Sequence, residues 1–306
     1  MTIVFFGTPE FGAVVLGKLV EGGYSPELVV TVPDKPAGRG QLPVSPAVKT
    51  AADAYGISVL QTEDETIIQK RLQELRPDII ALASFGMLLP KELLQVPKYG
   101  ALNVHPSLLP KYRGPSPVSS AILAGEKTTG VSIMLMDEFL DHGPVLSQRE
   151  LPISEITTTP GLKVSLAELG GELLCEVIPC WIAGEITPQP QNNEAATFTK
   201  RLEKHDGKIN WTRPAGYIGR QVRAFAPWPG TYAFWGDKRL KVLEALALPH
   251  TLQVPPGQVL SLQEGTAVHT GEGTLLLKRI QLEGGNPVDT KDFLLGHKDF
   301  IGSILI

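Results

Sequence analysis

Asn103 and His105 stand two apart in the short apolar run Ala-Leu-Asn-Val-His. A strand there puts both side chains on one face, an amide beside an imidazole. Such a pair suits the stabilisation of negative charge on a carbonyl oxygen, with the imidazole handling a proton. A third polar group, Asp141, follows on a Gly-flanked loop as Asp141-His142-Gly143. Each residue alone has an ordinary structural use: a turn-forming Asn, a core His, a loop-capping Asp. Together they form a set worth tracing through the chain.

Other chemistries find little support. The chain has no GxSxG, HExxH or Walker sequence, and its six histidines are scattered. Cys175 and Cys180 fit neither a redox pair nor a zinc ribbon, so no metal is expected. Gly7-Thr-Pro9-Glu-Phe-Gly12 matches the outer glycines of a dinucleotide fingerprint, but Pro9 occupies the position where backbone must approach a pyrophosphate. No serine stands on a nucleophile elbow. An Asn, His, Asp set without a covalent nucleophile favours direct transfer between two bound substrates.

The elements that position this set read as an α/β domain. Residues 2–6 form a β-branched and aromatic run, followed by a glycine turn and a helical pattern to Val20. Further strands are expected at 28–32, 58–60, 77–84, 100–104, 129–136 and 143–151, with helices at 46–55, 65–75, 91–94, 118–124 and 162–182. The nearly continuous apolar run after Pro77 predicts a strand buried on both faces. It ends in the turn 85–90, at a strand's carboxyl end, where open α/β sheets bind ligands. Asp34 to Pro46, rich in Gly and Pro and carrying Lys35 and Arg39, reads as an irregular arm able to close on an anionic partner. Pro188, Pro190 and the Gln and Asn residues after them give a linker signal. A short helix is expected at 198–202 and another at 215–224. Closely spaced strands at 231–235, 240–247, 258–262, 266–270 and 274–281 then suggest a small barrel before a terminal helix at 290–294. The expected domains are 1–184, a linker at 185–205, and 206–306.

Composition agrees with a soluble globular protein: 306 residues, 42% apolar and 20% charged, net charge −4. No run reaches the roughly 20 apolar residues of a membrane span. A cytoplasmic protein without membrane association is therefore expected. From Asp206 onward 11 Lys and Arg face 9 Asp and Glu, a mildly basic balance that gives weak support for nucleic acid contact.

Asn103-Val-His105-Pro-Ser107-Leu108-Leu109-Pro110, with Asp141-His-Gly143 beyond it, resembles the 10-formyltetrahydrofolate-dependent formyltransferases. Lys35-Pro-Ala-Gly-Arg39-Gly40 and Arg223-Ala-Phe-Ala-Pro-Trp-Pro-Gly230 resemble the branch that acts on initiator methionyl-tRNA. His142 follows Asp141 where Thr is usual in that family. The resemblance implies a Rossmann-like, mostly parallel N-terminal domain and an OB-like C-terminal β-barrel that binds tRNA. It implies Asn103, His105 and Asp141 as the catalytic trio, with 10-formyltetrahydrofolate as co-substrate and a monomeric enzyme. Folate contacts are implied at Phe85, Gly86, Met87, Leu88, Leu89, Pro90, Ser107, Leu108, Leu109, Pro110, Leu140 and Gly143. Contacts to tRNA are implied at Lys35, Arg39, Gly40, Arg220 and Arg223. A formyltransferase for an amino sugar nucleotide or another small amine, and an inactive folate- or tRNA-binding relative, are the alternatives.

Overall fold

Apolar runs of strand length, each followed by a turn and an amphipathic stretch, generate an alternation of strands and helices. The computed structural model describes residues 1–37, 42–250 and 252–306. Contacts divide the chain into two compact units. The first comprises Met1–Pro117, Thr128–Pro152 and Leu162–Thr199, the second Val118–Lys127, Ile153–Gly161 and Lys200–Ile306. Among the described residues, no helix is long and apolar enough to cross a membrane.

In chain order the first elements are β1 (Ile3–Gly7), α1 (Glu10–Glu21), β2 (Leu28–Thr31), β3 (Lys35–Ala37), β4 (Leu42–Val44), α2 (Ala47–Ala54), β5 (Ser58–Gln61) and α3 (Glu65–Leu75). Then come β6 (Ile79–Ala83), α4 (Lys91–Leu94), β7 (Ala101–His105), α5 (Pro117–Ala124), β8 (Thr128–Leu135), β9 (Val145–Pro152) and α6 (Thr159–Ile182). Seven strands form one sheet in the order β5-β2-β1-β6-β7-β8-β9. The first five are parallel and the last two antiparallel. Strand order reverses between β1 and β6, which opens a crevice at their carboxyl ends. β1, β6 and β7 are buried at every residue, which explains their runs of apolar side chains. Asn103 and His105 are the polar exceptions. A core of Val4, Phe6, Val30, Ile68, Ile80 and Leu82 lies on one face of the sheet. On β7 and β8, α6 sits so low that a Cβ on Gly170 would meet Val104 Cγ1 at 2.5 Å.

Two local expectations need correction. The stretch after Asp34 was expected to lack regular structure, yet β3 and β4 form an antiparallel ladder that sets Pro36 opposite Pro43. Neither proline can donate, so this pair occupies a position of the ladder that requires no N–H, and the flanking pairs carry the bonds. The expected helix at 198–202 is absent. Phe198 instead bridges to Arg113, with Arg113 N–H donating to Thr197 O at 2.9 Å and Thr199 N–H to Arg113 O at 2.7 Å. Backbone groups that a helix would use internally are spent on this pairing. The stretch expected as linker also pairs through Val145 and Gln189, and the first unit extends to Thr199.

In the second unit the elements are α7 (Ala215–Ala224), β10 (Thr231–Trp235), β11 (Lys238–Leu248), β12 (Val259–Leu262), β13 (Gly265–His269), β14 (Thr274–Leu282), β15 (Val288–Asp289) and α8 (Thr290–Gly296). The antiparallel order is β10-β11-β14-β13-β12, with β15 on β14. Trp211, Ile218, Val222, Val242, Leu275 and Phe300 are among the buried residues of its core. Residues 302–306 serve both edges of this sheet. Ile306 exchanges two backbone bonds with Phe234 of β10, at 2.6 and 3.0 Å. On the other side, Val259 of β12 donates to Ser303 O at 2.8 Å and accepts from Gly302 at 2.9 Å. The sheet is barrel-like, and both of its edge strands are covered.

Candidate active site

β7 delivers Asn103 and His105 to its carboxyl end, between β6 and β8, with Asn103 opposite Met134 and His105 opposite Ser132. They are 7% and 4% exposed, so each is a polar group held inside the sheet rather than on a solvated rim. Asp141 comes from the loop between β8 and β9. Its backbone has φ 48°, in the left-handed region that Asp and Asn tolerate better than most residues. That turn brings Asp141 Oδ1 to 3.5 Å from His105 Nδ1. The other ring nitrogen, Nε2, lies 3.1 Å from Tyr112 O. A carbonyl oxygen only accepts, so Nε2 carries a proton. The carboxylate at Nδ1 is equally an acceptor, so the ring is held through both of its nitrogens. Asp141 Oδ2 accepts from Gly114 N–H at 2.8 Å, which fixes the carboxylate plane.

A layer behind the trio holds this loop. Gln191 Nε2 donates to Asp141 O at 2.9 Å and to Gly143 O at 2.7 Å. Its Oε1 accepts from Arg113 Nε and Nη2 at 3.0 and 2.8 Å, and Arg113 also donates to Asn193 Oδ1 at 2.9 Å. Arg113 is only 3% exposed, so a buried guanidinium orients the amide that orients the loop. Gly143 is a second constraint, since a Cβ there would meet Leu135 O at 1.9 Å. Ser107, fully buried, is tied in similarly. Its Oγ donates to Lys111 O and its carbonyl accepts from Ser132 Oγ, both at 2.6 Å.

Residues 1–178 match the family described as formyl transferase, and residues 201–298 match the formyl transferase C-terminal domain. The chain belongs to the formyl transferase family. A methionyl-tRNA formyltransferase of Citrifermentans bemidjiense is 42% identical over 100% of this chain and 96% of its own. Another, of Caldanaerobacter subterraneus, is 41% identical with 100% of both chains covered. Among solved structures, an N-formyltransferase from Helicobacter canadensis, crystallised with folinic acid and dTDP-3-aminofucose, superposes with TM-score 0.68 at 19% identity. It covers 90% of this chain and 98% of its own. HypX from Aquifex aeolicus, crystallised in one case with tetrahydrofolic acid, superposes with TM-score 0.65 at 19% identity, covering 96% of this chain and 47% of its own. At these identities the structures share the fold.

Within this formyl transferase, the residues expected at a folate slot differ in their exposure. Phe85, Leu89, Ser107 and Leu109 are buried in the protein's own packing, Phe85 edge-on to Phe6 at 5.1 Å. Leu88 and Leu140 are 65% and 48% exposed on two different loops. Lys91, the first residue of α4, and Glu138, on the loop of Leu140, form an ion pair at 3.5 Å. Gly86 takes φ 84° in the turn, Pro90 caps α4, Pro110 follows a cis peptide bond, and Met87 and Leu108 are partly exposed. Of the residues expected at tRNA, Lys35 is exposed on β3 and paired with Glu63 at 2.7 Å. Arg39 and Gly40 lie outside the described residues. At the base of this ladder Asp34 accepts from Gln61, Lys49 and Ser45, which together hold its carboxyl below the usual carboxylate range. Arg220 donates from Nε to Leu123 O at 3.0 Å, and Arg223 from Nη1 to Thr157 O at 2.9 Å. Burial, and then Arg220 nearby, lower the Arg223 pKa.

Gln191, which holds the Asp141 loop, is not singled out by the sequence, because a Gln in a Pro-rich stretch has no distinguishing pattern. Replacing Gln191 with Glu keeps an acceptor for Arg113 but loses both donors to the loop. We expect near-normal thermal stability with reduced formyl transfer. Gln191→Leu removes both functions and leaves the guanidinium with one fewer acceptor. It is expected to cost about 1–3 kcal/mol of stability as well, read as a lower Tm. Equal turnover in Gln191→Glu and the wild type would show that the loop holds itself.

Proposed function

We propose that this protein transfers the formyl group of 10-formyltetrahydrofolate to the α-amino group of methionine esterified to initiator tRNA. The observation that carries this reading is the likeness to methionyl-tRNA formyltransferases across both domains and nearly full length, with Asn103, His105 and Asp141 converging at one strand end. Support for the folate comes from the exposed apolar side chains Leu88, in the turn after β6, and Leu140, next to Asp141 in the chain, which suit the flat face of a heterocycle.

In the proposed reaction the amine nitrogen bonds to the formyl carbon, and negative charge collects on the formyl oxygen. The Asn103 amide donates to that oxygen and stabilises it in a site already removed from water. His105, held by Tyr112 O and Asp141, can hand on a proton at the reacting centre. Asp141 orients the ring and accepts the proton lost by the amine through water. Collapse then breaks the bond between the formyl carbon and N10 of the folate, and N10 takes up a proton. The enzyme itself forms no covalent bond, in keeping with the absence of a nucleophile elbow.

The test is an assay with labelled 10-formyltetrahydrofolate and three acceptors: charged initiator tRNA, charged elongator methionine tRNA, and an amino sugar nucleotide. Label is expected on the initiator tRNA. Label on the sugar nucleotide alone would overturn the reading in favour of a small-amine formyltransferase.

A further inference from the structure

We propose that His142 is a positioning residue that ties down the loop carrying Asp141. One ring nitrogen holds Asp137 at the start of that loop, and the other meets Asn193 outside it. The inference rests on the reading of Asp141 as part of the formyl-transfer trio, and it adds a residue that acts through Asp141.

The loop leaves β8 after Leu135, whose N–H donates to Pro144 O at 2.9 Å, so its two ends are pinned together. Within it, the Asp137 carboxylate serves two donors. Oδ1 accepts from Phe139 N–H at 3.0 Å, an Asx turn, and Oδ2 lies 2.7 Å from His142 Nδ1. His142 Nε2 lies 3.4 Å from Asn193 Nδ2. The orientation of that amide is decided by Arg113, whose Nη2 donates to Asn193 Oδ1 at 2.9 Å, since a guanidinium has no acceptor. Asn193 therefore turns its NH2 toward the ring, Nε2 accepts, and the proton on Nδ1 faces Asp137. Phe139 packs edge-on against the ring, with centroids 5.4 Å apart.

These contacts close a circuit around Asp141. Asp137 leads through His142, Asn193 and Arg113 to Gln191, whose amide donates to Asp141 O and Gly143 O. The Asp137 and His142 side chains are 31% and 38% exposed, and a contact so near to water adds little to stability. What it fixes is geometry. Asp141 sits in left-handed backbone at φ 48°, with Oδ1 3.5 Å from His105 Nδ1, so a small rotation at its neighbour His142 carries the carboxylate off the ring. A passive surface histidine would have neither a set donor nor a set acceptor at its two nitrogens. The Thr usual at this position in the family carries one polar atom on a shorter stem, so the two-ended tie belongs to the histidine of this chain.

The experiment compares His142→Phe, Asp137→Asn and the two combined with the wild type, in the full-length protein. His142→Phe keeps a ring against Phe139 and removes both polar contacts. Asp137→Asn keeps an oxygen for Phe139 N–H and turns an amide NH2 toward Nδ1, and no tautomer of the ring then satisfies that amide and Asn193 together. Each is expected to lower kcat by about 10- to 100-fold, the scale of a misplaced catalytic group, with KM for charged initiator tRNA and the melting temperature close to wild type. The combined variant is expected to lose no more than the worse single one, since both remove the same tie. A second readout needs no turnover: Gly114 N–H donates to Asp141 Oδ2 at 2.8 Å. Its hydrogen exchange should quicken by about tenfold or more when the carboxylate shifts. Wild-type kcat and wild-type Gly114 exchange in His142→Phe would overturn the proposal. So would slower turnover with a lowered melting temperature and unchanged Gly114 exchange, the sign of general loosening. Faster Gly114 exchange in the variants, with a wild type that formylates no charged tRNA, would uphold the tie and sink the parent reading instead.

Discussion

Asn103→Ala is expected to lower kcat for formyl transfer by about 100- to 1000-fold, the roughly 2.7–4 kcal/mol typical of one lost oxyanion donor. The backbone at this position is held on both sides by β6 and β8, and the substitution leaves those ladders in place. Melting temperature should therefore move far less than turnover. KM for the folate should change little, because the amide acts when charge develops on the formyl oxygen rather than in the ground state. Single-turnover rates with pre-bound substrates, alongside a thermal melt, separate the two effects. Near-normal turnover in a folded Asn103→Ala protein would place the oxyanion donor elsewhere.

Asp141→Asn should have an effect of similar or greater size, on the order of 100- to 10,000-fold in kcat, the range associated with a general acid or base. Asn is the informative replacement because it also tolerates the left-handed backbone found at φ 48°. It can still accept from Gly114 N–H through its amide oxygen, as Asp141 Oδ2 does at 2.8 Å. What it cannot do is present negative charge to His105 Nδ1 or take up a proton. The variant therefore keeps the loop and removes the chemistry. Retention of full activity would limit Asp141 to a structural part. The contrast with Gln191→Glu is useful, since that variant keeps the carboxylate and disturbs the loop.

Legibility in the sequence followed the physical cause of each element. β1, β6 and β7 could be read because burial on both faces demands continuous apolar runs, and α3 because its apolar residues recur on one face. Asn103 and His105 were placed on one face by strand alternation alone. Asp141 was not linked to His105 by spacing. Its approach depends on a left-handed turn and on Gly143 passing close to Leu135 O, neither of which has a periodic signature. The ladder of β3 and β4 was hidden because Gly and Pro normally mark irregular backbone, and its two prolines are tolerated because they face each other in the register. Gln191 and Arg113 were silent as well. Their partnership joins residues far apart in sequence, and polar side chains carry no pattern that reports a distant partner. The extended course of residues 198–202 was likewise decided by pairing with Arg113 rather than by local propensity.

The segment 302–306 has a consequence for how the second unit holds together. Phe234 and Val259 belong to strands at opposite ends of the sheet order, and each owes backbone bonds to this one short segment. Detaching it frees donors and acceptors on two edges at once, and each bare edge is then a template for pairing with another chain. The barrel's resistance to self-association is thus tied to one short segment that bonds to both edge strands. Because the segment lies far in sequence from β10, its docking closes a long loop, and the entropic cost of that closure is met only when both edges bind together. Such coupling makes the unit cooperative: partial fraying at one edge weakens the other, so that protection of the Phe234 and Val259 amides should rise and fall as one.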